Sequence, residues 1–160
     1  MIRKLFRAVA ALAVLATACV GFAVATPATA GALCIENPIE GDWRNIDADT
    51  RAMTRVVVET CQPVTTCTGD ICSTTFDAGT YVSPYGSCHP TDCEWGRELA
   101  EHPGDGWVRV QYDFGFKRSD VWARTYEYYG LTYLRLWVHN DFTAADGRAD
   151  YTTDEWFLPA

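Results

Sequence analysis

The sequence predicts an all-β protein: an antiparallel up-and-down barrel of about eight strands, stapled by disulfides, with an open β-sandwich as the alternative. Three observations carry this. Short runs either alternate apolar and polar side chains or are dense in β-branched and aromatic residues, the pattern of strands with one buried face. Turn formers (Gly, Asp and Pro) separate these runs. No stretch beyond the first thirty residues keeps a helical period.

The N-terminal thirty residues stand apart. Met1-Ile2-Arg3-Lys4-Leu5-Phe6-Arg7 sets three basic residues ahead of an uncharged apolar run from Ala8 to Ala25, and Ala28-Thr29-Ala30 offers small residues for a signal peptidase. This is the three-part pattern of a secretory signal peptide over residues 1–30, which makes residues 31–160 a single exported domain. The apolar run is rich in Ala and Gly and ends in Thr-Pro, so no stable membrane association is expected after cleavage. Leu15-Ala16-Thr17-Ala18-Cys19 loosely resembles a bacterial lipobox, with its Leu one place too far upstream. It sets a lipid anchor at the cell surface through Cys19 as the alternative to free secretion.

In chain order, Gly31 to Ile39 reads as an arm and Glu40 to Ile46 as a first strand, turned by Asp47-Ala48-Asp49-Thr50-Arg51. Met53 to Thr60 is the clearest strand, and Gln62 to Ala78, rich in Thr, Cys, Pro and Gly, reads as an irregular excursion. Gly79 to Tyr85 is a strand damaged near its end by Pro84, followed by a loop closed by Cys88 and Cys93. Trp95 to Ala100 returns as a strand, and Glu101-His102-Pro103-Gly104-Asp105-Gly106 is a turn. Trp107 to Phe114 alternates, Gly115 to Asp120 is a connection or bulge, and Val121 to Tyr128 and Leu131 to His139 are strands. Asn140 to Arg148 holds the hairpin signal Asp146-Gly147, and Asp150 to Leu158 is the last strand.

Beyond the signal segment six cysteines remain, and an even number in an exported chain reads as a disulfide framework. Cys88–Cys93 and Cys67–Cys72 are the natural local pairs, which leaves Cys34–Cys61; Cys61–Cys67 with Cys34–Cys72 is the competing pattern. The signal segment carries no acidic residue, so the exported part sets ten basic against twenty-one acidic residues, a net charge of −11. Such a chain repels phosphate backbones, which argues against nucleic-acid binding. All six Trp, all eight Tyr and five of the seven Phe lie beyond residue 30. That surplus fits a β fold and also an aromatic-lined binding surface.

Gly41-Asp42-Trp43 resembles the Gly-x-Trp that opens the first strand of lipocalins, where the Trp closes the barrel floor against a basic residue from the last strand. Arg148 is the nearest such residue here, and Leu158-Pro159 stands where an Arg would be expected. A second resemblance covers most of the exported chain. Trp43-Arg44-Asn45-Ile46-Asp47 with Thr50-Arg51 and Thr54-Arg55, then Cys88-His89-Pro90-Thr91-Asp92-Cys93-Glu94-Trp95-Gly96, then Asp146-Gly147-Arg148-Ala149-Asp150-Tyr151, together resemble a family of small exported bacterial proteins of unassigned function. That resemblance implies no catalytic residues, and it marks Cys61 to Ala78 as an insertion.

Candidate chemistry concentrates in two places. The stapled loop presents His89, Asp92 and Trp95 as candidate contact residues. Its cysteines are better read as a staple than as zinc ligands, because zinc wants about four ligands and no matching second cluster exists; neither metal nor cofactor is expected. Arg51 and Arg55 are expected to pair with Asp47 or Asp49. The second place is a pair of polar-aromatic strand faces. Trp122, Arg124, Tyr126 and Tyr128 share one face, and Tyr133, Arg135, Trp137 and His139 share one face of the next strand. If the strands are adjacent, the rows lie together and suit a glycan, a planar ligand or a protein partner. The sequence thus points to a secreted, non-enzymatic binding or interaction protein. A small hydrolase using His89, His139 and nearby carboxylates is one alternative, and a protease inhibitor presenting the Cys88–Cys93 loop is another.

Overall fold

The computed structural model describes residues 37–160. The proposed signal segment, Cys19 and Cys34 lie outside the described residues. Among the described residues ten strands form one antiparallel sheet: β1 (Gly41–Asn45), β2 (Met53–Thr68), β3 (Ile71–Gly86), β4 (Cys93–Glu94), β5 (Glu98–Leu99), β6 (Glu101–Gly104), β7 (Trp107–Asp113), β8 (Lys117–Tyr128), β9 (Leu131–Phe142) and β10 (Tyr151–Pro159). The order across the sheet is β4-β3-β2-β1-β10-β9-β8-β7-β6, with β5 also pairing β3. Consecutive strands pair from β1 to β4 and from β6 to β10, β5 pairs back on β3, and β1 meets β10. That ladder, Trp43 opposite Pro159 and Asn45 opposite Phe157, brings the two ends of the meander together.

The sheet is not closed, since no ladder joins β3 to β7. The chain itself crosses this seam. β5 pairs Tyr81 and Val82 of β3, and β6, which follows directly, pairs β7. Across the same gap the Tyr112 hydroxyl donates to the Val82 carbonyl at 2.6 Å. Burial pushes the Tyr112 phenol well above its ordinary range.

Period-2 alternation places the core. Val56 and Val58, Val108, Val110 and Tyr112, Val121 and Ala123, Leu134, Leu136 and Val138, and Phe157 all turn to one side and are buried. Trp43 joins them, and its indole N–H donates to the Ile39 carbonyl at 2.9 Å. Arg148 does not serve Trp43. It pairs with Asp146 and lies over the rings of Phe142 and Phe116.

Three sequence expectations change. Gln62 to Ala78 is not irregular: β2 and β3 continue as a two-stranded ribbon, Gln62 opposite Asp77 through Thr68 opposite Ile71. Thr and Val suit the pleated surface, and Gly69, at φ 62, opens the two-residue tip. Cys61, at φ 56, sits at the bulge where the ribbon leaves the body. The expected turn at Glu101 shrinks to its last residues, because the backbone from Glu101 to Gly104 pairs with β7 and Pro103 is tolerated on that edge. Lys117 to Asp120 is likewise the first part of β8, not a connection.

Cys67–Cys72 and Cys88–Cys93 are the disulfides seen, which excludes the competing Cys61–Cys67 pattern. Cys61 is disulfide-bonded, and Cys34, its expected partner, is outside the described residues. These bonds are compatible with an extracellular protein. No helix among the described residues is long and apolar enough to cross a membrane.

Candidate functional site

β8 and β9 are adjacent, and their register sets Trp122 opposite Trp137, Arg124 opposite Arg135 and Tyr126 opposite Tyr133. The residues between them, Val121, Ala123, Leu134 and Leu136, fill the core, so the two rows lie together on the outer face. On β10, Asp154 stands opposite Trp137 and Trp156 opposite Arg135. Trp107 of β7 approaches Trp122 edge-on at 6.3 Å. Four strands thus build one continuous outer surface of Trp, Tyr and Arg, each ring half-buried by its neighbours.

Two clefts open on this surface. One, of about 440 Å³, is lined by Tyr126, Tyr133, Trp156, Ile46 and the end of β8, Glu127 and Tyr128. The other, of about 320 Å³, is lined by Trp107, Trp122, Trp137 and Arg135. The Trp122–Trp137 and Tyr126–Tyr133 pairs are four residues apart along their strands, roughly 13 Å at about 3.3 Å per residue. The rings meet edge to face or tilted, Tyr126 to Trp156 at 5.4 Å and Tyr133 to Trp156 at 6.4 Å.

Fixed ion pairs hold the surface in shape. Arg135 donates through Nε and Nη2 to both oxygens of Asp154, its guanidinium 5.7 Å from the centre of the Trp156 ring. Hydrogen bonding to Asp154, then to Tyr126, raises the Arg135 pKa, and the same guanidinium lowers that of Asp154. Arg109 grips Asp120 in the same bidentate way, and Asp120 also accepts from the Trp122 indole N–H at 3.1 Å. Arg124 lies over Tyr126 and makes no ion pair among the described residues. His139 stacks on Trp137, with Nδ1 3.1 Å from the Thr152 hydroxyl.

The stapled loop is docked to the body. Asp92 accepts from the Thr54 hydroxyl at 2.7 Å. The Trp95 backbone N–H donates to the Pro84 carbonyl on β3, while its ring packs edge-on against Tyr112 and Phe114 at 5.7 and 5.1 Å. Trp95 therefore spans the seam and turns toward the core. Of the loop's three candidate contact residues, His89 is exposed and alone has no partner among the described residues. His89, His102 and His139 all lie beyond ion-pairing distance of any carboxylate among the described residues.

The arginine pairing also differs from expectation. Arg55 pairs with Asp42 through two 2.7 Å hydrogen bonds across β1 and β2. Asp47 instead caps the first turn by accepting from the Asp49 N–H. Glu155 of β10 accepts from Asn45, Thr50 and the Met53 N–H, locking that turn. Trp107 and Trp156 are the site residues that strand-by-strand reading missed. Each lies on the polar phase of its own alternation, but only lateral register reveals that they extend the rows of β8 and β9. Comparison with family models, with curated proteins and with solved structures finds no match to this chain.

Proposed function

We propose that this protein is a secreted, non-enzymatic binding protein that holds a glycan chain on the outer face of β7–β10. The observation that carries the reading is the alternation, on one sheet face, of half-buried aromatic rings with bidentate Arg–Asp pairs. Sugar C–H groups carry slight positive charge and stack on the negative faces of Trp and Tyr. Sugar hydroxyls need donors and acceptors side by side, and Arg135–Asp154, Arg109–Asp120 and the uncommitted Arg124 supply both. The two clefts fall within the size range of small-ligand sites, and their separation suits non-adjacent units of one oligosaccharide. Because the ion pairs pre-set the side chains, little ordering cost is left for binding.

Affinity gel electrophoresis through a panel of neutral and acidic polysaccharides tests this. Retardation by at least one glycan class is expected, and Trp137→Ala weakens it by up to about tenfold, since a stacked ring is worth about 0.5–1.5 kcal/mol. Unchanged mobility in every polysaccharide would overturn the reading.

A further inference from the structure

A third cavity lies away from the outer face, at the end of the sheet where the stapled loop docks. It has a volume of about 360 Å³, and Arg51, Lys117, Arg148, Asn140, Trp95 and Tyr151 line it. No carboxylate is among its lining residues, although the chain carries twenty-one acids. Three cations converge here in a protein whose other described arginines are mostly committed to carboxylates. Arg51 and Lys117 make no ion pair among the described residues. Arg148 gives Nε and Nη2 to Asp146, leaving its Nη1 donors uncommitted.

Lys117 and Asn140 set the chemistry. The Lys117 ammonium sits 4.4 Å from the centre of the Trp95 ring and donates to Asn140 Oδ1 at 3.0 Å. An ammonium can only donate, so the Asn140 atom facing it is the oxygen. That oxygen also accepts from Ser119 at 2.7 Å, which fills both its lone pairs. The Asn140 amide nitrogen is thereby directed elsewhere. It has no partner among the described residues, where no buried side-chain nitrogen or oxygen lacks one, so this donor reaches the accessible cavity that Asn140 lines. Burial, and then the nearby charge of Arg148, lower the Lys117 pKa, and a bound anion would offset both effects.

We propose that this end cavity binds a small organic oxyanion, a carboxylate or phosphate group on a body about the size of one sugar ring. Lys117, Arg148 and the Asn140 amide hold the oxygens, Arg51 adds charge at the rim, and the Trp95 ring faces the body. The site is separate from the outer aromatic face and stands whether or not that face binds glycans.

Calorimetric titration of the purified chain with glucuronate, glucose 6-phosphate and glucose is the test, with the Asn140 side-chain amide and the Trp95 indole followed by NMR. At least one of the two acids is expected to bind about tenfold or more tighter than glucose, shifting both signals; the better acid identifies the head group. Lys117→Met and the exposed Arg51→Glu are each expected to weaken binding several-fold or more, whereas Arg97→Gln, which removes a cation elsewhere, leaves it intact. Equal response to glucose, failure of both acids to saturate at millimolar concentration, or binding unaffected by Lys117→Met and Arg51→Glu alike would overturn the proposal.

Discussion

Arg135 and Asp154 show how single residues shape the outer face. Each is part-exposed, 32% and 42% of its side chain, so the pair adds less than about 1 kcal/mol to stability while still fixing two planar groups between aromatic rings. Asp42, paired with Arg55, is 37% exposed and behaves alike. Both carboxyls are held below the ordinary carboxylate range, chiefly by hydrogen bonds from their guanidinium partners. A depressed folded-state pKa contributes stability above the unfolded value of about 3.9, and that contribution is lost as pH falls through the folded value. Urea denaturation from neutral pH downward should therefore show stability falling below about pH 4, with a shallower acid limb in the Asp42→Asn, Asp154→Asn double variant. An identical acid limb in that variant would show that these pairs do not set it. The phase of Arg135 and Trp137 was readable from alternation with Leu134 and Leu136. The partner of Arg55 was not, because Asp42 and Asp47 are both near in sequence and only the β1–β2 register selects between them.

Among the elements, the Cys67–Cys72 and Cys88–Cys93 disulfides have unequal consequences. Cys67–Cys72 joins paired residues near the tip of a ribbon whose side chains from Pro63 to Phe76 are exposed and touch no core. Cys88–Cys93 instead steadies the loop that sets Trp95 across the seam. Closing so short a ring stabilises by about 2 kcal/mol in the chain-entropy account. Replacing Cys88 and Cys93 with Ser should lower global stability by about that amount, whereas the same change at Cys67 and Cys72 should cost hydrogen-exchange protection mainly within the ribbon. Equal losses of global stability would show that the ribbon folds as one unit with the body. Both bonds were legible from spacing. The ribbon's regularity was hidden because Pro63, the cysteines and Gly69 are also loop residues, and what makes them a hairpin is the facing of Thr65 by Thr74, their hydroxyls 2.9 Å apart.

At the scale of the whole molecule, one alternating pattern divides the chain into a largely aliphatic interior, with Trp43, Tyr112 and Phe157 among it, and an outer face of Trp, Tyr and Arg over β7–β10. All-β class, antiparallel pairing and the inward side of each strand followed from local sequence. The meeting of β1 with β10 and the seam between β3 and β7 did not, since both join segments far apart in the chain. The six tryptophans record the division. Trp43 is in the core and Trp95 packs against it, while Trp107, Trp122, Trp137 and Trp156 lie on the outer face. The most direct measurement follows the six indole N–H signals by NMR as a neutral oligosaccharide from a retarding glycan is added. A glycan site on the outer face makes the outer four shift together and saturate while Trp43 and Trp95 stay in place; movement of Trp43 or Trp95 with the outer four unchanged would contradict it.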